Sequence, residues 1–321
     1  MRNLFNTRSR GVRHAVAMLA VALALPCSAV FAQDAEETLD EESAPQAGFV
    51  GEVGYAWQGE SDIDGGGGAS MHVNRFDVGL LGRLDFAERF RWTNSLFYAA
   101  NDYKFDGAGF SAGNPWGTVN TLRLQTKLRF AIDEQWGISA GGVFTFAPES
   151  GADWGDSFTG GGLLAADYRA SKDFMVSLGA AVVSQIEDDA RVVPSVIMVW
   201  TPQDEWAVRV GAVPASGGAA AAAEVAYRIA EPVEIGLGAL YNQRRFRLDD
   251  GGPAPDGVGE DNNLPVRLRL GWNALPNLSF NALAGVALAG SLQLDDRSGN
   301  TLRDQNYDPA PYVGMRMIGS L

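Results

Sequence analysis

Residues 121–132 read TLRLQTKLRFAI, with Leu122, Leu124, Leu128, Phe130 and Ile132 on even positions and Arg123, Gln125, Lys127 and Arg129 on odd ones. A helix turns about 100° per residue and would scatter those five apolar side chains around its circumference. A strand turns 180° per residue and puts them all on one face, with the polar set on the other. The stretch is therefore a strand whose two faces meet different surroundings, one apolar and one wet. A soluble sandwich offers such a pair of surroundings, and so does a membrane barrel.

The same alternation recurs in segments at roughly 48–58, 72–85, 90–105, 118–132, 136–148, 157–170, 174–186, 191–201, 206–213, 219–229, 233–248, 264–273, 278–294 and 310–320, which makes 14. Phe76, Val78, Leu80 and Leu84 oppose Arg75, Asp77 and Arg83, and Val266, Leu268, Leu270 and Trp272 oppose Arg267, Arg269 and Gly271. Pro194 interrupts one segment and cannot donate to a ladder, so irregular pairing is expected there.

The connections are sorted. Every other one is tight (86–89, 133–135, 171–173, 202–205, 230–232, 274–277). Those between are mostly longer and rich in glycine and acid (59–71, 106–117, 149–156, 187–190, 214–218, 249–263, 295–309). Up-and-down strands place alternate connections at opposite ends, and outer-membrane barrels keep short periplasmic turns and longer outer loops. A Greek-key sandwich has no reason to sort its loops in this way. The rings agree: Trp92, Trp136, Phe174, Trp206, Trp272 and Phe280 lie beside short turns, and Trp57, Tyr98, Phe144 and Phe146 lie near the long loops, as two interfacial belts would. The expected fold is all-β, a transmembrane antiparallel up-and-down β-barrel of about 14 strands, with 12 as the alternative. Even numbers follow from both termini being periplasmic.

The N-terminus fits export. Arg2, Arg8, Arg10 and Arg13 precede the apolar run 15–25, Pro26 breaks it, and small residues end at Ala32. That is a secretory signal peptide over 1–32. Residues 33–47 follow as an acidic, solvated periplasmic linker with six acids, and the barrel domain occupies 48–321. Cleavage removes Cys27, the only cysteine, and leaves 21 basic against 39 acidic residues, which makes nucleic acid an unfavourable partner. The seven longer connections hold 19 acids and, among bases, only Arg297 and Arg303. The strands instead carry Arg75, Arg83, Arg123, Lys127, Arg129, Arg209, Arg267, Arg269 and Arg316, with Gln125, on their polar parity. A cation on the lipid face costs about 2–4 kcal/mol at mid-bilayer. These residues are therefore the expected lining of the lumen.

The chemical inventory is thin. His72 is the sole mature histidine and the only base that a Ser–His–Asp site could use, as outer-membrane hydrolases do. GGGG at 65–68 lacks the lysine and hydroxyl of a phosphate loop. DDRSGN at 295–300 and DDGG at 249–252 could bind a divalent cation through carboxylates but lack EF-hand spacing. No catalytic residue, cofactor or built metal site is expected.

From about residue 191 onward, VPSVIMVWTPQDEW (193–206), YNQRRFRLDD (241–250) and YDPAPYVGMRM (307–317) resemble a family of bacterial outer-membrane β-barrel proteins of unknown function. The resemblance implies a porin-like barrel in the outer membrane and brings no catalytic residues. The chain ends IGSL, without the terminal aromatic that the barrel-assembly machinery usually reads. The leading expectation is a passive channel for small solutes with a basic lumen and acidic outer loops. Those loops would meet lipid and lipopolysaccharide, bridged by divalent cations. A closed structural or surface-binding barrel is the alternative, and a hydrolase using His72 the third.

Overall fold

The computed structural model describes residues 47–65, 67–87, 89–107, 110, 114–215 and 218–321. The expected signal peptide and nearly all of the acidic linker lie outside the described residues. What is described is almost wholly strand: β1 (Ala47–Asp62), β2 (Ser70–Ala87), β3 (Phe90–Asp106), β4 (Thr118–Ala131), β5 (Trp136–Phe146), β6 (Phe158–Ser171), β7 (Phe174–Gln185), β8 (Asp188–Gln203), β9 (Trp206–Ala215), β10 (Gly218–Ala230), β11 (Val233–Arg247), β12 (Val258–Leu275), β13 (Leu278–Asp295), β14 (Thr301–Tyr307) and β15 (Ala310–Ser320).

Neighbours in sequence pair antiparallel from β1 to β14, and β1 pairs with β15 from Val50↔Ser320 to Gln58↔Tyr312, so the sheet closes on itself. β14 and β15 form one stave: β13 pairs with β15 from Leu278↔Gly319 to Ala287↔Ala310, then with β14 from Gly290↔Tyr307 to Asp295↔Thr301. The barrel thus has fourteen staves. Gly290 allows the handover, because a Cβ there would stand 2.0 Å from the Tyr307 ring.

Four of the expected long connections are shorter. The stretch 295–309 contributes β14 and leaves only 296–300 as loop, and 249–263 lends its end to β12. Both are polar hairpins beyond the apolar zone, where strands need no greasy face to persist. The β7–β8 connection shrinks to Ile186 and Glu187, and Ala215 pairs with Gly218 at the β9–β10 tip. Long loops still cluster at one end, at 63–69, 107–117, 147–157, 248–257 and 296–300, and both barrel termini lie at the other.

The outward face reads as predicted by parity. Leu80, Leu96, Leu124, Leu128, Ile138, Leu164, Leu178, Leu237 and Leu268 are all exposed on the outside of the wall, Leu164 at 71%. Rings from adjacent staves meet at the short-turn end: Phe90–Phe130 at 4.8 Å, Trp136–Tyr168 at 4.5 Å, Trp206–Tyr227 at 4.9 Å and Trp272–Phe280 at 5.9 Å between centroids. Between this girdle and the rings near the long loops, the outward positions of the described strands carry no ionisable side chain except tyrosine. A closed sheet with that exterior is stable where hydrocarbon rather than water wets it.

One seam is weak. β8 and β9 pair only between Val196↔Ala212 and Gln203↔Trp206. Two residues further out in that register Pro194 would face Pro214, and neither can donate an N–H. Fourteen staves about 4.8 Å apart and tilted near 40° put opposite backbones roughly 28 Å apart.

Candidate functional site

The interior divides into two regions. Toward the short turns the inward positions are charged and polar. Arg209 meets Glu224 at 2.9 Å and Glu234 at 3.3 Å, and Arg269 meets Glu224 at 2.8 Å and also hydrogen-bonds Glu234. Arg316 joins Glu52 at 3.1 Å and Asp77 at 2.8 Å, Arg129 joins Asp167 at 2.9 Å, and Asp85 takes Arg83 at 2.6 Å and Arg91 at 2.8 Å. Apart from Arg83 and Asp85, which share β2, these pairs link staves one or two places apart, so the charges run along the wall rather than across the bore. Arg123 lies 5.6 Å over the Phe97 ring, and Ser95 donates to Gln125 at 3.4 Å. A cavity of about 100 Å³ at mid-barrel touches Arg75, Arg123, Arg244, Arg267, Asn263 and Tyr312.

Toward the long loops the interior is packed shut. Met71, Val73, Tyr103, Phe246, Leu292, Leu294 and Tyr307 point inward from the strands, and Ile63, Phe110, Trp116 and Ala254 enter from the loops, all buried in one cluster. Trp116 is the hub, with edge-to-face contacts to Phe246 at 5.2 Å, Phe105 at 5.4 Å, Phe110 at 5.8 Å and Tyr103 at 5.9 Å. Such pairs add about 0.5–1.5 kcal/mol each beyond their buried area. Gly259 lies under the Phe246 ring, where a Cβ would come within 2.4 Å.

Beneath the cluster, Asp261 is fully buried and accepts from Tyr103 at 2.8 Å, Tyr307 at 2.9 Å, Arg244 at 3.2 Å and Arg75 at 3.3 Å. Here the bonds do cross the bore: β3 and β12 are five staves apart. The end of β11 also crosses. Glu149 donates its N–H to the Arg247 carbonyl at 2.7 Å, and Arg247 donates its own to Ala147 at 3.0 Å. The Arg247 guanidinium then ties three connections together, through the Asp156 carbonyl at 3.1 Å, the Asp256 carbonyl at 2.6 Å and the Glu187 carboxylate at 2.5 Å. Arg245 holds the Ile186 carbonyl at 2.9 Å, with Asp295 at 3.0 Å and Glu260 at 3.2 Å. The Glu149 carboxylate accepts from the Gly117 N–H at 2.6 Å and the Asp249 N–H at 3.1 Å. Burial in this cap pushes its pKa above the ordinary value, against the pull of those two N–H groups.

All ten expected lumen residues, Arg75, Arg83, Arg123, Gln125, Lys127, Arg129, Arg209, Arg267, Arg269 and Arg316, are on the inward parity, and six of them are held by the carboxylates just named. The expected interface aromatics are all outward. The sequence pattern does not mark the cap residues Trp116, Arg244, Arg245 and Arg247. The three arginines sit in RRFR, where two consecutive charges defeat any parity, and Trp116 sits in a loop. His72 is on the outward parity beside the long loops and hydrogen-bonds no serine or acid among the described residues. The candidate cation loops are used internally: Asp296 accepts the Ser298 and Asn300 N–H groups, and Asp249 accepts that of Gly251. No group of three acid, histidine or cysteine side chains that could hold a metal occurs among the described residues.

A family model described as a domain of unknown function (DUF6268) matches residues 127–318, more than half of the chain. No curated protein matches. Among solved structures, the COG4313 outer membrane channel from Pseudomonas putida F1 is 15% identical, covering 88% of this chain and 98% of its own, with a TM-score of 0.46. A Pseudomonas aeruginosa FadL homologue is 11% identical over 94% and 96%, with a TM-score of 0.48. The P. putida toluene transporter TodX is 8% identical over 93% and 92%, also with a TM-score of 0.48.

Proposed function

The chain belongs to the DUF6268 family, a domain of unknown function, so its activity has to be read from its own geometry; we propose that it is a passive outer-membrane channel for small solutes, closed at its outer mouth by the inward-folded cap. One observation carries this reading. The ion pairs of the inner half hug the wall within two staves, whereas a barrel built only as a solid peg would tie its charges across the bore. The lining is not a bare basic wall. Glu52, Asp77, Asp167, Glu224 and Glu234 offset its arginines, so selectivity between anions and cations is weaker than the arginines alone imply.

The cap favours a second reading, a closed barrel with a structural or surface-binding role, because it seals the mouth in the conformation described. Reconstitution in a planar bilayer at 1 M KCl separates the two. Arg247→Ala is expected to give stepwise currents far more often than the parent chain. Silence from both proteins at either polarity would remove the channel reading and leave the closed barrel. A hydrolytic role for His72 is a distant third, and loss of lipid or peptide hydrolysis on His72→Ala would revive it.

A further inference from the structure

We propose that the acidic segment 33–46 docks inside the inner half of the lumen, as an occupant supplied by the chain itself. This rests on the channel reading for its consequence, though not for its geometry.

Arg83, Arg91, Lys127, Arg129, Arg169 and Arg228 share the inward parity and lie within four residues of the short-turn ends of β2, β3, β4, β6 and β10. The same zone of those strands holds two inward carboxylates, Asp85 and Asp167. The interior there is therefore net positive. The short turns outside it are the reverse, with Asp133, Glu134, Asp173, Asp204 and Glu205 exposed. An acidic peptide at this end is repelled by the rim and attracted to the inside.

Such a peptide is tethered at that rim. β1 starts at Ala47, opposite Leu84 near the β2–β3 turn. The fourteen residues before it, QDAEETLDEESAPQ, carry Asp34, Glu36, Glu37, Asp40, Glu41 and Glu42 and no base. Extended, they span up to about 46 Å, and Lys127 lies only four residues, about 13 Å, inside the rim. Leu39 is the one large apolar side chain among those acids. It matches the small apolar patch of Met175, Ile197, Val199 and Leu163.

The chain has three lysines, Lys104, Lys127 and Lys172, and only Lys127 points into the lumen. Carbodiimide coupling of the full mature chain in detergent, followed by peptide mass spectrometry, is expected to join Lys127 to an acid between 34 and 42. At 1 M NaCl, where charge interactions are screened within about 3 Å, the yield should fall severalfold. Tail links to Lys172 alone, or none to Lys127, would overturn the proposal. In the Arg247→Ala background at 0.1 M KCl, replacing the six tail acids by their amides should raise the current several times over, and that gain should shrink at 1 M KCl. An unchanged current in conducting channels would also overturn the docking. Silence of every variant with the Lys127 link present would instead remove the channel reading and leave the docking standing.

Discussion

The two ends of the lumen use the same residue types to opposite effect. In the inner half, Arg209, Arg269, Arg316 and Arg129 find carboxylates one or two staves away and line the wall. In the outer third, Asp261 receives Tyr103 from five staves away, and Arg247 carries the end of β11 across to the β5–β6 connection. The difference is one of reach. Short-range pairs run along the wall, and long-range ones span the bore. The cap also adds an aromatic core that the inner half lacks, packed over the bonds of Asp261, where losing a partner is costly.

That contrast makes ranked predictions. The largest effect is expected for Asp261→Asn, which leaves buried Arg75 and half-buried Arg244 without their shared counter-charge. The cost is about 3–5 kcal/mol, read as a lower unfolding temperature in detergent together with a loosened mouth. Arg247→Ala follows, losing charge-assisted bonds worth about 2–3 kcal/mol. It should raise the open fraction of the mouth roughly thirtyfold or more without moving the melting of the barrel wall. Gly259→Ala forces the Phe246 ring aside and should cost about 1–3 kcal/mol, again as mouth opening. Glu224→Gln in the inner half should cost less, about 1 kcal/mol, because Glu234 still faces Arg209 and Arg269, and it should leave the mouth shut. An inner-half substitution that opens the mouth would erase the distinction between the regions.

The smallest effect is the most diagnostic of the cap. Burial raises the Glu149 pKa above 4.5. A group whose folded pKa is raised stabilises the folded cap fully below its unfolded value, and that contribution fades as pH rises through the folded value. Mouth opening should therefore increase from about pH 4.5 upward, and Glu149→Gln should flatten the profile. A profile of opposite slope would contradict the assignment.

The wall was legible from sequence because one physical fact governs it: two solvents on two faces impose a period of two. Leu122 to Phe130 outward and Arg123 to Arg129 inward follow directly from that. Compensation of the lumen charge was written in the same parity, since Glu52, Asp77, Asp167, Glu224 and Glu234 share the inward face with the arginines they hold. Charge totals over whole zones of the chain conceal it. The cap was not legible. Beyond the bilayer both faces of β11 and β12 meet protein or water, so alternation lapses in RRFRLDD. Nothing local to residues 107–117 says that Trp116 turns into the bore. Tyr168 and Tyr227, half of two interfacial ring pairs, went unnoticed because their strands are otherwise rich in glycine and alanine.

The central claim is that the bore is sealed from outside by the cap and by nothing else on that side. Ala99→Cys, in a chain whose one native cysteine, Cys27, is replaced by serine, places a thiol in the mid-barrel cavity beneath the cap. Intact cells are then treated with a membrane-impermeant maleimide, with and without Arg247→Ala. The account predicts no labelling of the single variant and clear labelling once Arg247 is removed. Equal labelling of the two, or labelling of the single variant at full rate, would contradict it.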